Sequence, residues 1–237
     1  MLLIPLFHRV IDQEALYSTS TKKMAQHLLF LKENYPVIFP HEKKSGLSVC
    51  LTFDDATFDF YHTVFPLLKK LQMKAILAVP IFPILASTSL SPEKRLKMEP
   101  DIAKKSAAFC TWKEIQEMAD SPFIEIASHS YSHEDLSKKE VDLDLEILQS
   151  KKTLEDKIKT RVKTFIYPYG RCNRRALKKA REHYTYSMRI GSAFNFFSSP
   201  LLYRVPCDNY AQISHLFKPK TKVRLFLKTL VCKIRRR

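Results

Sequence analysis

The chain has 237 residues, of which 45% are hydrophobic, and its formal net charge at pH 7 is +16. This length fits one α/β domain with a sizeable core, and the hydrophobic content excludes a globally disordered chain. The five cysteines are odd in number and show no Cys-x-x-Cys spacing. They therefore exclude a disulfide scaffold and a zinc ribbon, and they favour buried free thiols in a reducing compartment.

The charge is concentrated at the carboxyl terminus. Residues 209–237 contain nine Lys or Arg and no Asp or Glu, whereas the remaining 208 residues carry a net charge of only +7. A strongly basic chain indicates an anionic partner, which would be nucleic acid, acidic lipid or a phosphorylated substrate.

No segment has the length expected of a targeting or membrane-spanning sequence. The amino-terminal apolar run follows no basic segment and ends after seven residues, and no later run reaches eighteen apolar residues. Signal peptides and transmembrane helices need longer runs. We therefore expect a cytoplasmic protein, or one bound to the cytosolic face of a membrane.

Seven short apolar runs predict strands, and several are continuously apolar, as in strands covered on both faces. They span residues 2–7, 47–53, 75–80, 123–127, 163–167, 186–190 and 202–205. Helical patterns separate them, and this alternation predicts parallel βαβ units, closed as a barrel or open as a doubly wound sheet.

The helices have recognisable starts and stops. Capping boxes predict two helix starts, and Pro66 predicts a break within residues 58–72. Residues 83–108 are polar and basic, and we expect them to form a surface excursion. The predicted helices are Thr21–Asn34, residues 58–72, residues 173–183, and two that start at the boxes Thr111 to Glu114 and Ser137 to Glu140.

Asp54 and Asp55 are adjacent carboxylates that follow the second apolar run. Burying either without a partner would cost several kcal/mol. A metal ion would resolve this conflict, because one carboxylate could bind it while the other handles protons at the bound water. Paired Asp residues are also common in surface loops, so the pair alone leaves both interpretations open.

His129 and His133 follow the run at residues 123–127. Histidines four apart can converge on one ion, although isolated pairs with this spacing are more often coincidental. Here the His pair and the Asp pair both lie at the carboxyl ends of strands, where a parallel sheet collects its active site. Together they predict a His/His/Asp metal site, with Zn²⁺ as the default ion and Co²⁺, Ni²⁺ or Fe²⁺ as alternatives.

A third motif, Tyr167-Pro168-Tyr169-Gly170, ends the run at residues 163–167. It could be only a rigid turn. Beside a metal site, its backbone N–H groups could instead stabilise an oxyanion.

The order of these motifs, T-F-D-D, H-S-x-x-H and Y-P-Y-G, resembles the NodB-type polysaccharide deacetylase family. The segments F-P-L-L-K-K-L-Q, T-W-K-E-I and Y-R-V-P extend the resemblance over residues 2–208. It implies a distorted (β/α) barrel with fewer than eight strands. It also implies metal-dependent removal of an N-acetyl or other N-acyl group from an amino sugar, in a glycan or in a lipid-linked saccharide.

The resemblance also implies residue roles. Asp54 would be the general base, and Tyr169 would offer its backbone N–H to the oxyanion. The opening F-H-R-V is similar to a subgroup that brings its general acid from the first strand, which points to His8; a packed strand histidine is the alternative. The metal ligands would be Asp55, His129 and His133.

Four further residues are candidates for substrate binding. Tyr167 and Pro168 belong to the turn motif. Trp112 could line the acyl pocket or belong to the core at a helix start. Arg204, in Y-R-V-P, could contact the catalytic carboxylate or pair on the surface.

The chain departs from the family pattern at three places. Ala56 stands where a Gly usually follows the Asp pair, at a tight turn. The Arg that often precedes the Pro-Tyr turn is absent, which leaves the support of Asp54 open. There is no clear Leu-x-His near the carboxyl terminus, and this favours His8 as the acid over His215 in the basic tail.

The tail predicts a basic amphipathic helix that follows a catalytic domain of residues 1–212 and lies within residues 213–237. Its apolar face would either pack on the barrel or contact an anionic membrane. A lipid-linked substrate at the cytosolic face would fit the membrane contact. The apolar positions are Val223, Phe226, Leu227, Leu230, Val231 and Ile234.

Three further functions compete with deacetylation. The basic charge would suit a nucleic-acid-binding protein, but the aromatic residues lie in apolar strands and the charge lies in a tail, so we expect no nucleic acid. A hydrolase of the same fold could act on a non-sugar C–N bond. A non-catalytic member of the same fold could bind glycan without turnover.

Overall fold

The seven apolar runs form parallel strands that pair until the sheet closes on itself. The computed structural model describes residues 1–13 and 15–234. Within these residues each barrel strand pairs with the next in sequence, and the last pairs with the first. The strands, β1 to β7, are Pro5–Phe7, Leu51–Phe53, Ala75–Val79, Ile124–Ser128, Thr164–Ile166, Tyr186–Ile190 and Leu201–Pro206.

This closed sheet confirms the expected (β/α) barrel with fewer than eight strands. Two short parallel strand pairs flank it, Leu2–Leu3 with Ser48–Val49 and Arg9–Val10 with Ser18–Thr19. Because all seven barrel strands run in parallel, their carboxyl ends open at one end of the barrel, where catalytic groups of such folds lie.

Side chains alternate between two hydrophobic clusters along each strand, as the period of two requires. On β3, Ile76 and Ala78 belong to the cluster inside the barrel, whereas Leu77 and Val79 belong to the cluster between barrel and helices. On β7 the inward cluster includes Leu202, and the same alternation directs Arg204 inward.

Helices cover the outside of the barrel and begin for identifiable reasons. The Thr111–Glu114 capping box is present and starts the fourth helix. The segment at residues 58–72 changes from a π-helical turn, Phe60–Val64, to the second helix at Phe65, one residue before Pro66. The backbone stays helical there, so the break predicted at Pro66 is not present. The helices α1 to α7 are Thr21–Asn34, Phe65–Leu71, Pro92–Leu96, Trp112–Ala119, Ser150–Ile158, Arg174–His183 and Pro219–Ile234.

The predicted helix start at Ser137 is wrong. The Ser137 hydroxyl and backbone N–H both donate to Asp135, so this serine closes a local turn instead of capping a helix. The helical segment begins later, at the π-helical turn Asp144–Gln149, where Asp142 accepts the backbone N–H groups of residues 144 and 145.

A buried arginine fixes the excursion at residues 83–108 to the fourth helix and to the segment after β2. Arg95 donates to both carboxylate oxygens of Glu114, at 2.6 and 2.9 Å, and to the carbonyls of Ala107 and Phe109. Its guanidinium carbon also lies 3.5 Å from the ring centroid of Phe58. The excursion, predicted only as polar surface, therefore has a defined conformation.

The carboxyl-terminal segment packs on the barrel. Ile213, Leu216 and Leu225 belong to the outer hydrophobic cluster, and Phe217 stacks on Tyr35 with ring centroids 4.1 Å apart. The boundary at residue 212 therefore stays a prediction, since residues on both sides of it share one core. No helix in the described residues combines the length and apolar content needed to cross a bilayer.

All five cysteines are free thiols, as the sequence predicted. Cys50, Cys110 and Cys207 are buried. Burial raises the pKa of each of these three thiols, so they stay protonated and unreactive.

We expect Leu216→Ala to lower the free energy of unfolding by about 2–5 kcal/mol, because it removes a fully buried side chain. The matched control is Leu230→Ala on α7, where the side chain is exposed and the change should stay within about 0.5 kcal/mol. Urea unfolding of both variants measures this. Equal, small effects would show that the segment after residue 212 is not part of the core.

Candidate metal and active site

The two carboxylates lie directly after β2, at the carboxyl end of the barrel. Asp55 and Ala56 both adopt left-handed backbone conformations, with φ of 70° and 50°. This conformation costs a non-glycine residue about 1–2 kcal/mol. Ala56 therefore adopts, without Gly, the tight turn that the family pattern led us to expect at this position. Backbone strain of this kind concentrates at functional sites.

The two histidines are held by a second loop. His129 follows β4, and its Nδ1 donates to the carbonyl of Ile166 at 2.9 Å, which leaves Nε2 as the unprotonated nitrogen of the neutral ring. His133 has a φ of 60°, and its backbone N–H donates to the Ser130 hydroxyl at 3.0 Å. Buried Glu146 accepts the N–H groups of residues 131 and 132, at 3.1 and 2.9 Å, and so fixes the loop.

Three ligand atoms converge in the structure. The Nε2 atoms of His129 and His133 are 3.2 Å apart, and they lie 3.5 and 3.4 Å from Oδ1 of Asp55. Ligand atoms about 2.0–2.1 Å from a tetrahedral ion are about 3.3 Å apart. The three side chains, the triad, therefore have the spacing of ligands that could bind one ion.

The electrostatics of the triad also fit a divalent cation. Oδ1 of Asp55 is buried without a hydrogen-bond partner among the described residues. Burial raises the pKa of Asp55, whereas burial and the neighbouring His129 lower the pKa of His133 to about 3. A neutral imidazole is the form that binds metal, and a cation would neutralise the unpartnered carboxylate oxygen.

Asp54 is held by Arg204. The guanidinium Nη1 and Nη2 donate to the two carboxylate oxygens at 2.6 and 2.9 Å, and Nη1 lies 3.5 Å from the Thr52 hydroxyl. Arg204 is 1% exposed and Asp54 is 4% exposed. Arg204 therefore contacts the carboxylate and does not pair on the surface. Because it is buried behind Asp54, it is not placed to bind substrate.

Arg204 supplies the support that the missing Arg before the Pro-Tyr turn left open. Burial opposes ionisation of Asp54, but Arg204, together with the neighbouring His129 and His8, outweighs burial, and the pKa of Asp54 lies below its ordinary value. Oδ2 of Asp54 is 3.8 Å from Nε2 of His129, so this ionised carboxylate borders the triad.

His8 also lies close to Asp54. Its backbone N–H and its Nδ1 donate to the two carboxylate oxygens of Asp208, at 2.8 and 2.9 Å, and its Nε2 is 4.0 Å from Oδ2 of Asp54. Burial lowers the pKa of His8, but the bond to Asp208 and the charges of Asp54 and Asp55 outweigh it and raise that pKa to about 9. His8 is therefore oriented by a carboxylate, unlike an ordinary packed strand histidine.

Sequence reasoning missed Asp208 and Glu146. Asp208 lies two residues beyond β7, so an acidic residue just after a predicted barrel strand was the available signal. Glu146 lies in a helical segment and gave no local signal, because its role depends on the loop that folds over it.

The turn after β5 borders the triad. Tyr169 has a φ of 57° and is exposed, and its ring meets that of His133 edge-on at 4.7 Å between centroids. Pro168 is buried. Tyr167 is also buried and packs on Phe165, with centroids 5.1 Å apart.

Trp112 is half-buried at the start of α4, with Nζ of Lys157 5.8 Å from its ring centroid. The contacts described for Tyr167 and Trp112 are with core and surface residues. Their roles in substrate binding therefore stay predictions.

We expect Arg204→Met to lower the free energy of unfolding of the metal-free protein by about 3–5 kcal/mol near neutral pH, because it leaves an ionised carboxylate buried without its partner. Without Arg204, burial should raise the folded-state pKa of Asp54 above its unfolded value. Such a group stabilises the folded state as the pH falls through the raised pKa, so the deficit should shrink toward about pH 4.5. Urea unfolding in EDTA at both pH values measures this.

The double variant Asp54→Asn/Arg204→Met removes both charges and should recover most of the lost stability. A single variant as stable as the wild type, or a deficit that grows at low pH, would contradict this account of the pair.

The sequence and the fold were compared with those of known proteins. The sequence profile described as polysaccharide deacetylase matches residues 41–187. The poly-beta-1,6-N-acetyl-D-glucosamine N-deacetylase of Escherichia coli O157:H7 is 23% identical over 217 residues, which cover 74% of this chain and 32% of that protein. The chain thus spans about a third of the length of the curated relatives it matches.

Two solved structures share the fold. A de-N-acetylase from Aggregatibacter actinomycetemcomitans has a TM-score of 0.74 and 22% identity, with 91% of this chain and 98% of that chain covered. The Streptococcus pyogenes deacetylase PplD, solved with acetate, has a TM-score of 0.73 and 23% identity, with 95% and 97% covered. Since the family profile matches more than half of the sequence, the chain belongs to the polysaccharide deacetylase family.

Proposed function

We propose that the chain is a metal-dependent carbohydrate N-deacetylase, which removes an N-acetyl group from an amino sugar. One observation carries the proposal. The Arg204-bound carboxylate of Asp54 lies 3.8 Å from the triad and 4.0 Å from the Asp208-bound imidazole of His8. A base, an acid and a set of metal ligands thus surround one small space.

Asp55, His129 and His133 would hold the metal. Two imidazoles and a carboxylate suit Zn²⁺, with Co²⁺, Ni²⁺ and Fe²⁺ as alternatives. When bound, such an ion polarises a carbonyl oxygen and lowers the pKa of a coordinated water. The ring of His129 is already oriented for this role, since the Ile166 carbonyl fixes its tautomer.

Asp54 acts as the general base in this proposal. The guanidinium of Arg204 keeps it ionised, and its Oδ2 faces the space between His129 and His8. An attacking water in that space lies within reach of this oxygen, which accepts the water proton as the water adds to the amide carbon.

His8 acts as the general acid. Its Nδ1 is bonded to Asp208, so the proton on Nε2 is the one directed toward the site. That proton passes to the nitrogen of the departing amino sugar, which leaves as an amine while acetate is released. The backbone N–H of Tyr169, in the turn after β5, would stabilise the oxyanion.

The substrate class comes from the family and the curated relatives. The relatives are named for poly-beta-1,6-N-acetyl-D-glucosamine, so we propose an N-acetylated amino sugar within a glycan, with a lipid-linked saccharide as the second candidate. Acetate release from N-acetylglucosamine oligomers, measured with and without a chelator, tests the proposal. Release only from acetamides that contain no sugar would support the non-sugar amidase instead.

We expect His129→Ala and His133→Ala each to lose the bound metal while the fold survives, because each removes one of three converging nitrogen or oxygen ligands. Elemental analysis beside a thermal melt measures both properties. The control is His62→Ala, an exposed histidine in the π-helical turn before α2, which should keep one ion per chain. Stoichiometric metal in either triad variant would refute the site.

Variants of Asp54 and Asp55 should have different effects on turnover and on metal binding. Asp54→Asn should keep the ion and lose at least about 10²-fold in kcat, the usual scale for a general base, whereas Asp55→Asn should lower metal occupancy. Acetate release and elemental analysis on both variants, each checked for folding, measure this. Equal metal loss in the two variants would mean that the roles are assigned wrongly.

A further inference from the structure

The last helix, α7, has one face fixed to the barrel. Leu225 is fully buried, and so is nearly all of Thr229. The Thr229 hydroxyl accepts the backbone N–H of Phe194 at 2.9 Å and lies 3.1 Å from the carbonyl oxygen of the same residue. These contacts define which side of α7 faces the protein.

The opposite side of α7 is an exposed apolar stripe. Its members are spaced i, i+3, i+4, i+7 and i+8, so they share one helical face. At about 100° per residue, that face lies roughly opposite to Leu225 and Thr229. The stripe therefore does not pack on the barrel to complete its core. Its exposed fractions are 60% for Val223, 44% for Phe226, 56% for Leu227, 44% for Leu230 and 48% for Val231.

Basic side chains flank this stripe on both sides. On the helical projection Arg224 and Lys228 lie along one edge and Lys222 lies along the other, while Lys220 precedes the stripe. Residues 209–237 contain no Asp or Glu that could neutralise them. The side chains of Lys233 and Ile234 and the residues 235–237 lie outside the described part of the chain.

We propose that α7 docks on an anionic membrane, with the stripe in the acyl boundary and the flanking Lys and Arg at the lipid headgroups. An exposed apolar face between two basic edges is the arrangement of a helix that lies in the plane of a bilayer surface. The inference is independent of the proposed catalytic function, since none of the residues involved belongs to the site.

A second copy of the chain fits the stripe less well than a membrane does. Two α7 helices packed face to face would bring four or more cations of each copy together without an intervening acid, and like charges at such an interface oppose association. Acidic lipid headgroups supply the opposite charge, and acyl chains supply the apolar contact. Charge complementarity therefore favours the membrane.

The test uses the full chain and vesicles of phosphatidylcholine with about 30% phosphatidylglycerol, cosedimented at about 50 mM and about 500 mM salt. We expect binding at low salt that weakens by about tenfold or more at high salt, because salt screens the charges. Vesicles of phosphatidylcholine alone should bind much less.

Two pairs of variants separate the apolar from the ionic contribution. Leu227→Gln/Leu230→Gln should weaken binding by about tenfold or more, whereas Leu29→Gln, at an exposed leucine on α1, should leave it unchanged. Lys222→Gln/Lys228→Gln should weaken low-salt binding by about tenfold or more, since each cation near an anionic surface contributes about fivefold. The charge-matched control is Lys138→Gln/Lys139→Gln, at two exposed positions far along the chain.

Absence of binding at low salt would overturn the proposal, and so would wild-type binding by the Leu227→Gln/Leu230→Gln variant. Light scattering tests the alternative that a second copy of the chain covers the stripe. A dimer of the wild type that the same variant converts to a monomer would assign the stripe to a second copy. Acetate release from a soluble oligomer should be the same in all these variants, so failure of the membrane proposal is distinguishable from failure of the catalytic one.

Discussion

A charge pair inside the barrel, between Arg204 and Asp54, is the interaction on which the candidate site depends. Removing either charge from water alone would be costly, and the two parallel N–H···O bonds offset that cost. The pair fixes the plane of the carboxylate, so its second oxygen is presented to His129 and His8. It also ties β7 to the end of β2, two strands that are separated in the barrel by β1.

Around this pair the closed barrel gathers groups that are far apart in sequence. His8 follows β1, Asp55 follows β2, His129 follows β4 and Tyr169 follows β5. Because the strands are parallel and adjacent, each of these positions opens at the same end of the barrel. The left-handed backbone at Asp55 and Tyr169 then turns the chain sharply, which keeps the short loops close to the centre.

Local patterns predicted much of this arrangement. The apolar runs predicted the strands, and the Asp and His pairs predicted the triad. Both kinds of feature depend on residues that are close together in the sequence. The roles of Arg204 and Asp208 were harder to predict. Their partners lie 150 and 200 residues away, and the pairing is set by how the barrel closes.

The failed helix start at Ser137 has a related cause. The Ser137 hydroxyl could either cap a helix or bond to a nearby side chain. It donates to Asp135, two residues earlier, and so does not cap a helix. The orientation of α7 was equally undecided in sequence. Its apolar residues define a face, but only the contacts of Leu225 and Thr229 show that this face points away from the barrel.

The pairing of β1 with β7 means that the barrel can close only after nearly the whole barrel sequence has been synthesised. All three triad side chains occur before residue 134, whereas Arg204 and Asp208 arrive with β7. A chain emerging from the ribosome therefore contains the three triad residues about seventy residues before it contains the partners of Asp54 and His8. The arrangement proposed for acid–base chemistry is therefore complete only after β7 has been synthesised and has paired with β1.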